Sequence, residues 1–482
     1  MIFAGRGDAA RRAIVREELR RRMSRPQRHR LLQGFPMAAL MRPVRGHYDP
    51  FPTIELDPGR PLIIGVLPHT FCNPKVKGCG FCTFPHERFG REPMRRVLEQ
   101  VAGEIGQRAR EQPGIRERRV AALDMGGGTA HLTPPDDLER LCALLASTFD
   151  VSDSELTLEG VPKYFLLRDE ALLDVLARAA VRHRRISMGI QTFDHGWLNR
   201  MGRDAFGDRG DFRRVVDAAH RRGFTVSADL LFNLPGATLE HALADVCAAN
   251  ETGFDQICVY NLVLTSELDT EWARDRSLVN SMPDGASAMA TWLAVRQTLL
   301  ELGYVQTTLT NFERRGVAQS PRGFVYEAAS FDPATYDAIG FGPGALSTFT
   351  SRDHRRATKW MNLGTSETYA LAMHEAHCGV ASVFEYSPDD LRLLHLTRSL
   401  SRLSVDCASY ARFFGTDPVA DFPLEVGALE DARLVHRRAV TIQLTPDGMF
   451  YADAVAGLLA HRRVVELREG ADDRAALEQP MG

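Results

Sequence analysis

Residues 71–84 read FCNPKVKGCGFCTF, one loop that sets Cys72, Cys79 and Cys82 in the spacing Cys-x6-Cys-x2-Cys. It follows the apolar run 62–67, which predicts a strand, so the three thiols gather at a strand's end. The other five cysteines, Cys142, Cys247, Cys258, Cys378 and Cys407, stand alone in apolar or helical-looking stretches and read as buried packing residues. A clustered trio, in a chain whose first residues form no secretory apolar core, points to metal ligation in a reduced, cytoplasmic setting rather than to disulfides. Three thiolates are one short of a filled iron–sulfur cubane and leave one iron open to an outside chelator. Two other readings use the same residues: a zinc site completed by His69 or His86, and a reducing pair of Cys79 and Cys82. A zinc ribbon carries a second ligand pair at ribbon spacing, and the sequence shows none.

Outward from the loop, apolar or β-branched runs recur at 62–67, 120–124, 155–159, 186–193, 226–234 and 257–264. Amphipathic stretches lie between and after them, at 94–111, 135–148, 170–183, 212–222, 239–253 and 286–302. This alternation predicts an α/β fold, a partial (β/α)6 barrel with extra C-terminal strands. Residues 305–312 read as one further strand and 339–347 as a glycine-rich turn region. From about 380 onward, short helices, a strand at 439–444 and a turn plus helix at 446–459 suggest a small helical or winged-helix domain. The expected organisation is a basic N-terminal helix and linker (1–60), the barrel (61–350), the C-terminal domain (351–472) and a flexible tail (473–482).

A formal charge of -3 over 482 residues gives no global attraction to nucleic acid or acidic lipid. Locally, residues 6–30 carry ten arginines against Asp8, Glu17 and Glu18, which reads as a solvated surface helix in preference to a nucleic-acid arm. No apolar run approaches the roughly 20 residues that span a bilayer, so membrane insertion is not expected.

In β/α barrels the chemistry sits at the C-terminal ends of the strands. Unusual polar residues fall there on strand after strand. Asp124-Met125-Gly126-Gly127-Gly128-Thr129 closes the second, and its glycines let backbone approach a ligand and offer N–H groups to a carboxylate. Glu159 ends the third run, where a carboxylate is costly unless it faces a cavity or a cation. Gln191 and Asp194 end the fourth, with Arg203 in the next turn; Asp229 lies in the fifth, and Tyr260 and Asn261 near the end of the sixth. Each could be an ordinary satisfied polar group; their common rim beside the cysteines favours one shared pocket.

With these motifs in order, the sequence resembles the radical S-adenosylmethionine (SAM) family typified by oxygen-independent coproporphyrinogen III oxidase, the HemN-like enzymes. The likeness runs over about 64–459. It is carried by GGGTA with Leu132 and Leu138, LTLEGVP, GIQTFD with Met201-Gly202-Arg203, ADLLFNLPGAT, TNFER at 310–314, AIGFGPGALS at 338–347 and LTPDGMFYAD at 444–453. The resemblance implies that Cys72, Cys79 and Cys82 hold a 4Fe-4S cluster. It further implies that Gly126, Gly127, Thr129, Glu159 and Arg203 help bind the SAM on that cluster, the glycines near its aminoacyl end. Gln191 and Asp229 would line the region where the founding enzyme accommodates a second SAM, and Phe71 and Phe81 would pack against the cluster or the adenosyl group.

Three departures stand out. The family spaces its first two cysteines by three residues, whereas residues 73–78 make six and include Pro74, Lys75 and Lys77. The tyrosine and histidine that precede the family's first cysteine are not recognisable in IGVLPHTFC, with His69 a shifted counterpart at best. The porphyrinogen oxidase has an extra cysteine two residues after the third ligand, where this chain has Phe84, which argues against porphyrinogen decarboxylation.

The implied reaction begins with an electron from a donor such as flavodoxin or ferredoxin, breaks the SAM sulfur–carbon bond, and yields a 5'-deoxyadenosyl radical that abstracts hydrogen from a bound partner. In class C methyltransferases of this group the partner is the methyl of a second SAM, and the carbon radical adds to an sp2 carbon of a small-molecule substrate. Phe84, Gln191 and Asp229 favour that reading. Direct C–H abstraction, including coproporphyrinogen decarboxylation, and a heme-binding chaperone that keeps a SAM site are its rivals.

Overall fold

The computed structural model describes residues 8–28, 35–44, 46, 48–49, 51, 54–72, 79–265 and 267–478. The chain opens with helix α1 (Asp8–Met23) and reaches its first long strand, β1 (Leu62–Val66), which is apolar on both faces. That is the pattern of a strand with helices on one side and a barrel interior on the other. Beyond it α2 (Arg91–Glu111), β2 (Val120–Met125), α3 (Pro135–Thr148), β3 (Glu155–Gly160), α4 (Leu167–Arg178) and β4 (His183–Gln191) alternate. The series continues through α5 (Arg209–Arg221), β5 (Thr225–Phe232), α6 (Leu239–Thr252), β6 (Gln256–Asn261) and α7 (Gly285–Glu301). All neighbours from β1 to β6 pair in parallel, as helical crossovers require.

The expected single strand at 305–312 is instead a tight hairpin, β7 (Tyr304–Gln306) and β8 (Asn311–Arg314), because Thr307 and Thr308 fold back to donate their backbone N–H groups to Asn311. After α8 (Val325–Ser330), the expected turn region at 339–347 is largely strand as well: β9 (Asp337–Phe341) and β10 (Leu346–Thr350) leave only the Gly342–Ala345 corner as turn. Gly342 and Gly344 have positive φ, and a Cβ at Gly342 would lie 2.0 Å from the Leu67 carbonyl oxygen, so glycine is needed to close this corner. The sheet then runs on through β11 (Ala357–Asn362), past α9 (Ser366–Ala376), to β12 (Val380–Tyr386), with the short strand Arg42–Pro43 on its edge. Among the described residues it has 13 strands, and the expected division at 350/351 falls between β10 and β11, which pair with one another.

The inside of the barrel is plugged from below by α8. Glu155 of β3 accepts the N–H groups of Val325 and Tyr326, both at 3.2 Å, so a buried carboxylate meets the positive end of this helix. Tyr326 then rises against Gly65 of β1, where a Cβ would stand 2.8 Å from its hydroxyl.

The C-terminal part contains α10 (Pro388–Ser401), β13 (Ser404–Asp406), α11 (Pro423–Asp431), β14 (Val435–Arg438), β15 (Thr441–Leu444) and α12 (Ala452–Glu478), its three strands ordered β13-β15-β14. Helix α1 is not wholly solvated, as its arginines suggested. Val15 and Leu19, four residues apart and so on one face, are buried where α1 packs on α11 and α12, and the arginines fan out around them. Among the lone cysteines, Cys258, Cys378 and Cys407 are buried as expected, whereas Cys142 is only partly covered and Cys247 is exposed. Among the described residues no helix is long and apolar enough to cross a membrane.

Candidate active site at the strand ends

Cys72 ends the short strand Phe71–Cys72, which pairs with Glu87–Arg88 and so pins the near end of the cysteine loop. The Thr129 hydroxyl hydrogen-bonds its sulfur; burial nevertheless pushes the Cys72 thiol up to about 11. The charges of Cys79 and Cys82 reach Cys72, although among the described residues no three cysteine, histidine or acidic side chains stand close enough together to hold a metal ion as placed. Arg203 donates to the Cys79 sulfur at 3.1 Å and to the Gly189 carbonyl, which ties the loop to the end of β4. Residues 73–78, the stretched gap with Pro74, Lys75 and Lys77, lie outside the described residues.

Gly80 and Phe81 sit against Trp272. Gly80 has φ +69, the Trp272 backbone N–H donates to the Gly80 carbonyl at 3.0 Å, and the Phe81 ring meets the indole edge-on at 5.5 Å. Phe71 is buried beside His69, their ring centres 5.6 Å apart, and Phe84 is exposed. Of the two histidines that a zinc site would use, His69 has its Nε2 3.4 Å from the Thr133 hydroxyl and its buried Nδ1 without a hydrogen-bond partner among the described residues, and His86 Nδ1 lies 3.1 Å from the Phe84 carbonyl.

Gly126, Gly127 and Gly128 lie beside the cysteines, and each is crowded. A Cβ at Gly126 would come within 2.6 Å of a Glu159 oxygen, and one at Gly128 within 2.9 Å of the Thr70 backbone. Only glycines leave this cradle open. The Gly127 N–H donates to Glu159, whose carboxylate is open to the hollow; the protein around it and then the nearby Asp229 raise its pKa. Register carries the acids inward: Gly65 lies beside Asp124, Asp124 beside Thr157, Glu159 beside Ser187, and Gly189 beside Asp229, which adjoins Cys258. Asp229 accepts from the Ser187 hydroxyl at 3.3 Å; burial lifts it to about 6 against the pull of Arg185, Ser187, Cys258 and Arg203. Asp124 is raised by burial and by Glu159. Gln191, at φ +69, lies over Gly189 next to Arg203.

The structure thus brings Cys72, Cys79, Cys82, Gly126, Gly127, Thr129, Glu159, Gln191, Arg203 and Asp229 to one end of the barrel. Phe71, next to Cys72, packs beside His69, and Phe81, between Cys79 and Cys82, meets Trp272. Sequence reasoning missed Arg185, Glu155, Tyr326 and Glu327. Arg185 is fully buried; burial opposes its charge, but Cys258, Glu155, Asp229 and Asp124 hold it. The alternation Glu155-x-Thr157-x-Glu159 and Arg185-x-Ser187-x-Gly189 was the available signal for an inward polar face. Thr157, 0% exposed, has no hydrogen-bond partner for its hydroxyl, a polar gap in the wall between the two glutamates. Three thiols with hydrogen-bond donors on two of them, an open glycine cradle and acids that burial disfavours when charged suit a thiolate-bound cluster carrying a cationic chelator.

Residues 66–246 match the family model described as the Radical SAM superfamily. The chain is 27% identical over 296 residues to the heme chaperone HemW of Lactococcus lactis, covering 61% of this chain and 71% of that one. It is 22% identical over 385 residues to HemW of Bacillus subtilis, covering 79% and 95%. It is 25% identical over 314 residues to the oxygen-independent coproporphyrinogen III oxidase of Thermostichus vulcanus, covering 61% and 90%. Among solved structures, coproporphyrinogen III oxidase (HemN) from Escherichia coli, a radical SAM enzyme, superposes with a TM-score of 0.68 at 21% identity, covering 84% of this chain and 91% of that one.

Proposed function

The chain is a radical SAM protein of the HemN and HemW type, with a 4Fe-4S cluster and SAM as its cofactors, and from that premise we propose that it transfers a methyl or methylene group to an sp2 carbon of a small molecule. When loaded, the cluster and SAM supply a 5'-deoxyadenosyl radical. The protein's own residues do the rest. Cys72, Cys79 and Cys82 hold the cluster; Arg203 and Thr129 orient two of the sulfurs; the Gly126–Gly128 backbone approaches the SAM aminoacyl end; Glu159 and Asp229 face its positive charges. The plug of α8 closes one end of the hollow.

The observation that carries the reading is the charge balance of the hollow. Asp124, Glu155, Glu159 and Asp229 face inward from β2–β5, whereas Arg185 is the one arginine or lysine facing inward from those strands. Burial draws these acids toward their neutral forms, and a cation bound beside Glu159 and Asp229 would pair with their charged forms, which supports sulfonium binding there. A reductant such as flavodoxin or ferredoxin completes the requirement.

Anaerobic reconstitution, reduction and SAM addition test the reading by product analysis. The expected result is 5'-deoxyadenosine together with S-adenosylhomocysteine and a methylated or cyclopropanated product. 5'-Deoxyadenosine without S-adenosylhomocysteine would transfer the assignment to direct hydrogen abstraction. Heme delivery is a second reading, favoured by the chaperone relatives that match most of the chain. Stoichiometric heme binding with negligible SAM turnover would establish it instead.

A further inference from the structure

Helices α6 and α7 pack on one another beside β5, and between their first turns a cavity of about 340 Å³ reaches the end of that strand. Its size falls within the range of small-molecule sites. The walls are mostly apolar, with Leu231, Leu234, Ala242 and Ala290 among them. Leu231 and Leu234 also belong to the apolar cluster of Trp272 that supports Phe81, so one wall of the cavity backs the cysteine loop. The hydroxyls of Thr238, Ser287 and Thr291 line it too, but they bond within the first turns of their own helices. Asn233 and His241 are the remaining polar side chains on its wall.

Asn233 is 6% exposed and stands just past β5 at φ +62. Its amide is oriented by a chain of hydrogen bonds that starts from a backbone oxygen. The Gln27 carbonyl can only accept, so the Asn261 atom 2.7 Å from it is the Nδ2 donor. Asn261 Oδ1 in turn takes the Asn233 Nδ2 donation at 2.8 Å, and the Ala288 carbonyl lies 3.5 Å from the same nitrogen. Asn233 Oδ1 is thereby left as an acceptor without a partner among the described residues. His241 has the opposite character. Its Nε2 lies 3.2 Å from the Thr192 hydroxyl and 3.4 Å from the Asp245 carboxylate, which leaves Nδ1 without a partner among the described residues. The bond to Asp245 raises the His241 pKa against burial and favours the imidazolium, whose two nitrogens both donate. An open acceptor and an open donor on one mostly apolar cavity form the polar pattern of a ligand site.

We propose that this cavity binds a small, mostly apolar molecule by a planar amide-type edge, its N–H directed to Asn233 Oδ1 and its carbonyl to His241. A carboxylate would set a second acceptor against Asn233, and an amine would set a cation against His241. A neutral edge with one donor and one acceptor satisfies both. The apolar walls take the rest of the ligand as a ring. The cysteines and the inward acids do not line this cavity, so it is a second site. Neither its ligand nor its test depends on the reaction proposed above.

The test uses reconstituted protein without reductant, quinolin-2(1H)-one as the probe and saturation-transfer NMR as the readout. The probe is expected to bind, and to bind equally with SAM present. N-Methylquinolin-2-one, which lacks the N–H, and quinoline-2-carboxylate, which lacks the neutral edge, should each bind at least about tenfold more weakly. Asn233→Gly keeps the left-handed turn and removes the carboxamide, and His241→Leu removes the donor; each should weaken the probe about tenfold or more. Ala290→Phe, at an exposed position of α7, fills the cavity mouth and should abolish binding. The exposed control Arg355→Gln should bind as the wild type does. Absence of probe binding, displacement of the probe by SAM, equal or tighter binding of either comparison compound, or unchanged affinity in any of the three cavity variants would overturn the site. Should Asn233→Gly or His241→Leu fail to fold, the comparison compounds and Ala290→Phe decide the matter. 5'-Deoxyadenosine formation by the wild type is measured separately, so failure of the radical reading and failure of this site give different results.

Discussion

Arg203 joins the Cys79 sulfur to the Gly189 carbonyl and lies over the Phe206 ring at 4.7 Å, so one side chain aligns the cysteine loop with the end of β4. Arg203→Met keeps the packing and removes both donations. It should retain most of the iron per chain while lowering 5'-deoxyadenosine formation by about tenfold or more, as expected for the loss of a charge-assisted contact. Asp229 gives a pH prediction. Its folded pKa, about 6, lies above the unfolded value, so its stabilising contribution is full below about 4 and is lost as pH rises through 6. Ligand-free Asp229→Asn should therefore gain in melting temperature over the wild type at pH 7, and the gain should shrink toward pH 4. A gain independent of pH would contradict this assignment. At this scale the rim was legible because Cys72, Glu159, Arg203 and Asp229 each break an apolar or turn pattern. Arg185 was not, since its run HRRIS reads as the polar approach to a strand; only the register beside Thr225 shows it inside.

Elements impose their own constraints on the site. The turn at Gly80 needs a left-handed backbone, and a Cβ there would lie 2.1 Å from the Trp272 ring nitrogen. Gly80→Ala should displace the Cys79 and Cys82 part of the loop and reduce iron bound per chain by more than half, measured by iron and sulfide analysis. The plug depends on Glu155 in a similar way. Glu155→Gln weakens the cap on α8 and should cost about 1–2 kcal/mol of stability in urea unfolding. Strands β1–β6 and their helices were legible from periodicity because each alternation serves a single β/α unit. The hairpin of β7 and β8 was not, because its turn residues Thr307 and Thr308 are themselves β-formers. The strands at 337–350 were hidden by glycines whose purpose is tertiary, such as Gly340, where a Cβ would strike the Leu346 backbone.

The whole molecule is joined along a line that composition conceals. The arginine-rich N-terminus looks like a solvated arm, yet Arg16 meets Asp431 at 2.6 Å, and Gln27 takes bonds from Asn261 and Ala454. Arg28 reaches Asp453 and Thr265, Tyr386 and Lys359 bond the carbonyls of Phe35 and Pro36, and Arg42–Pro43 completes the sheet edge on β12. Deleting residues 1–43 should lower the melting temperature by several degrees and increase protease sensitivity at α12, since it uncovers the apolar faces under Val15 and Leu19. These partnerships were illegible because every one joins the first 43 residues to residues beyond 260. They also have a consequence in time. A ribosome releases the docking partners of this N-terminal strap last, so nascent chains carry it undocked while the strands from β1 to β6 assemble. The contacts of Phe35, Pro36 and Arg42–Pro43 with Tyr386, Lys359 and β12 then form only after residue 386 has left the ribosome, well after the cysteine loop. Stalled ribosome complexes ending near residue 300 should expose the strap to protease, and released full-length chains should protect it.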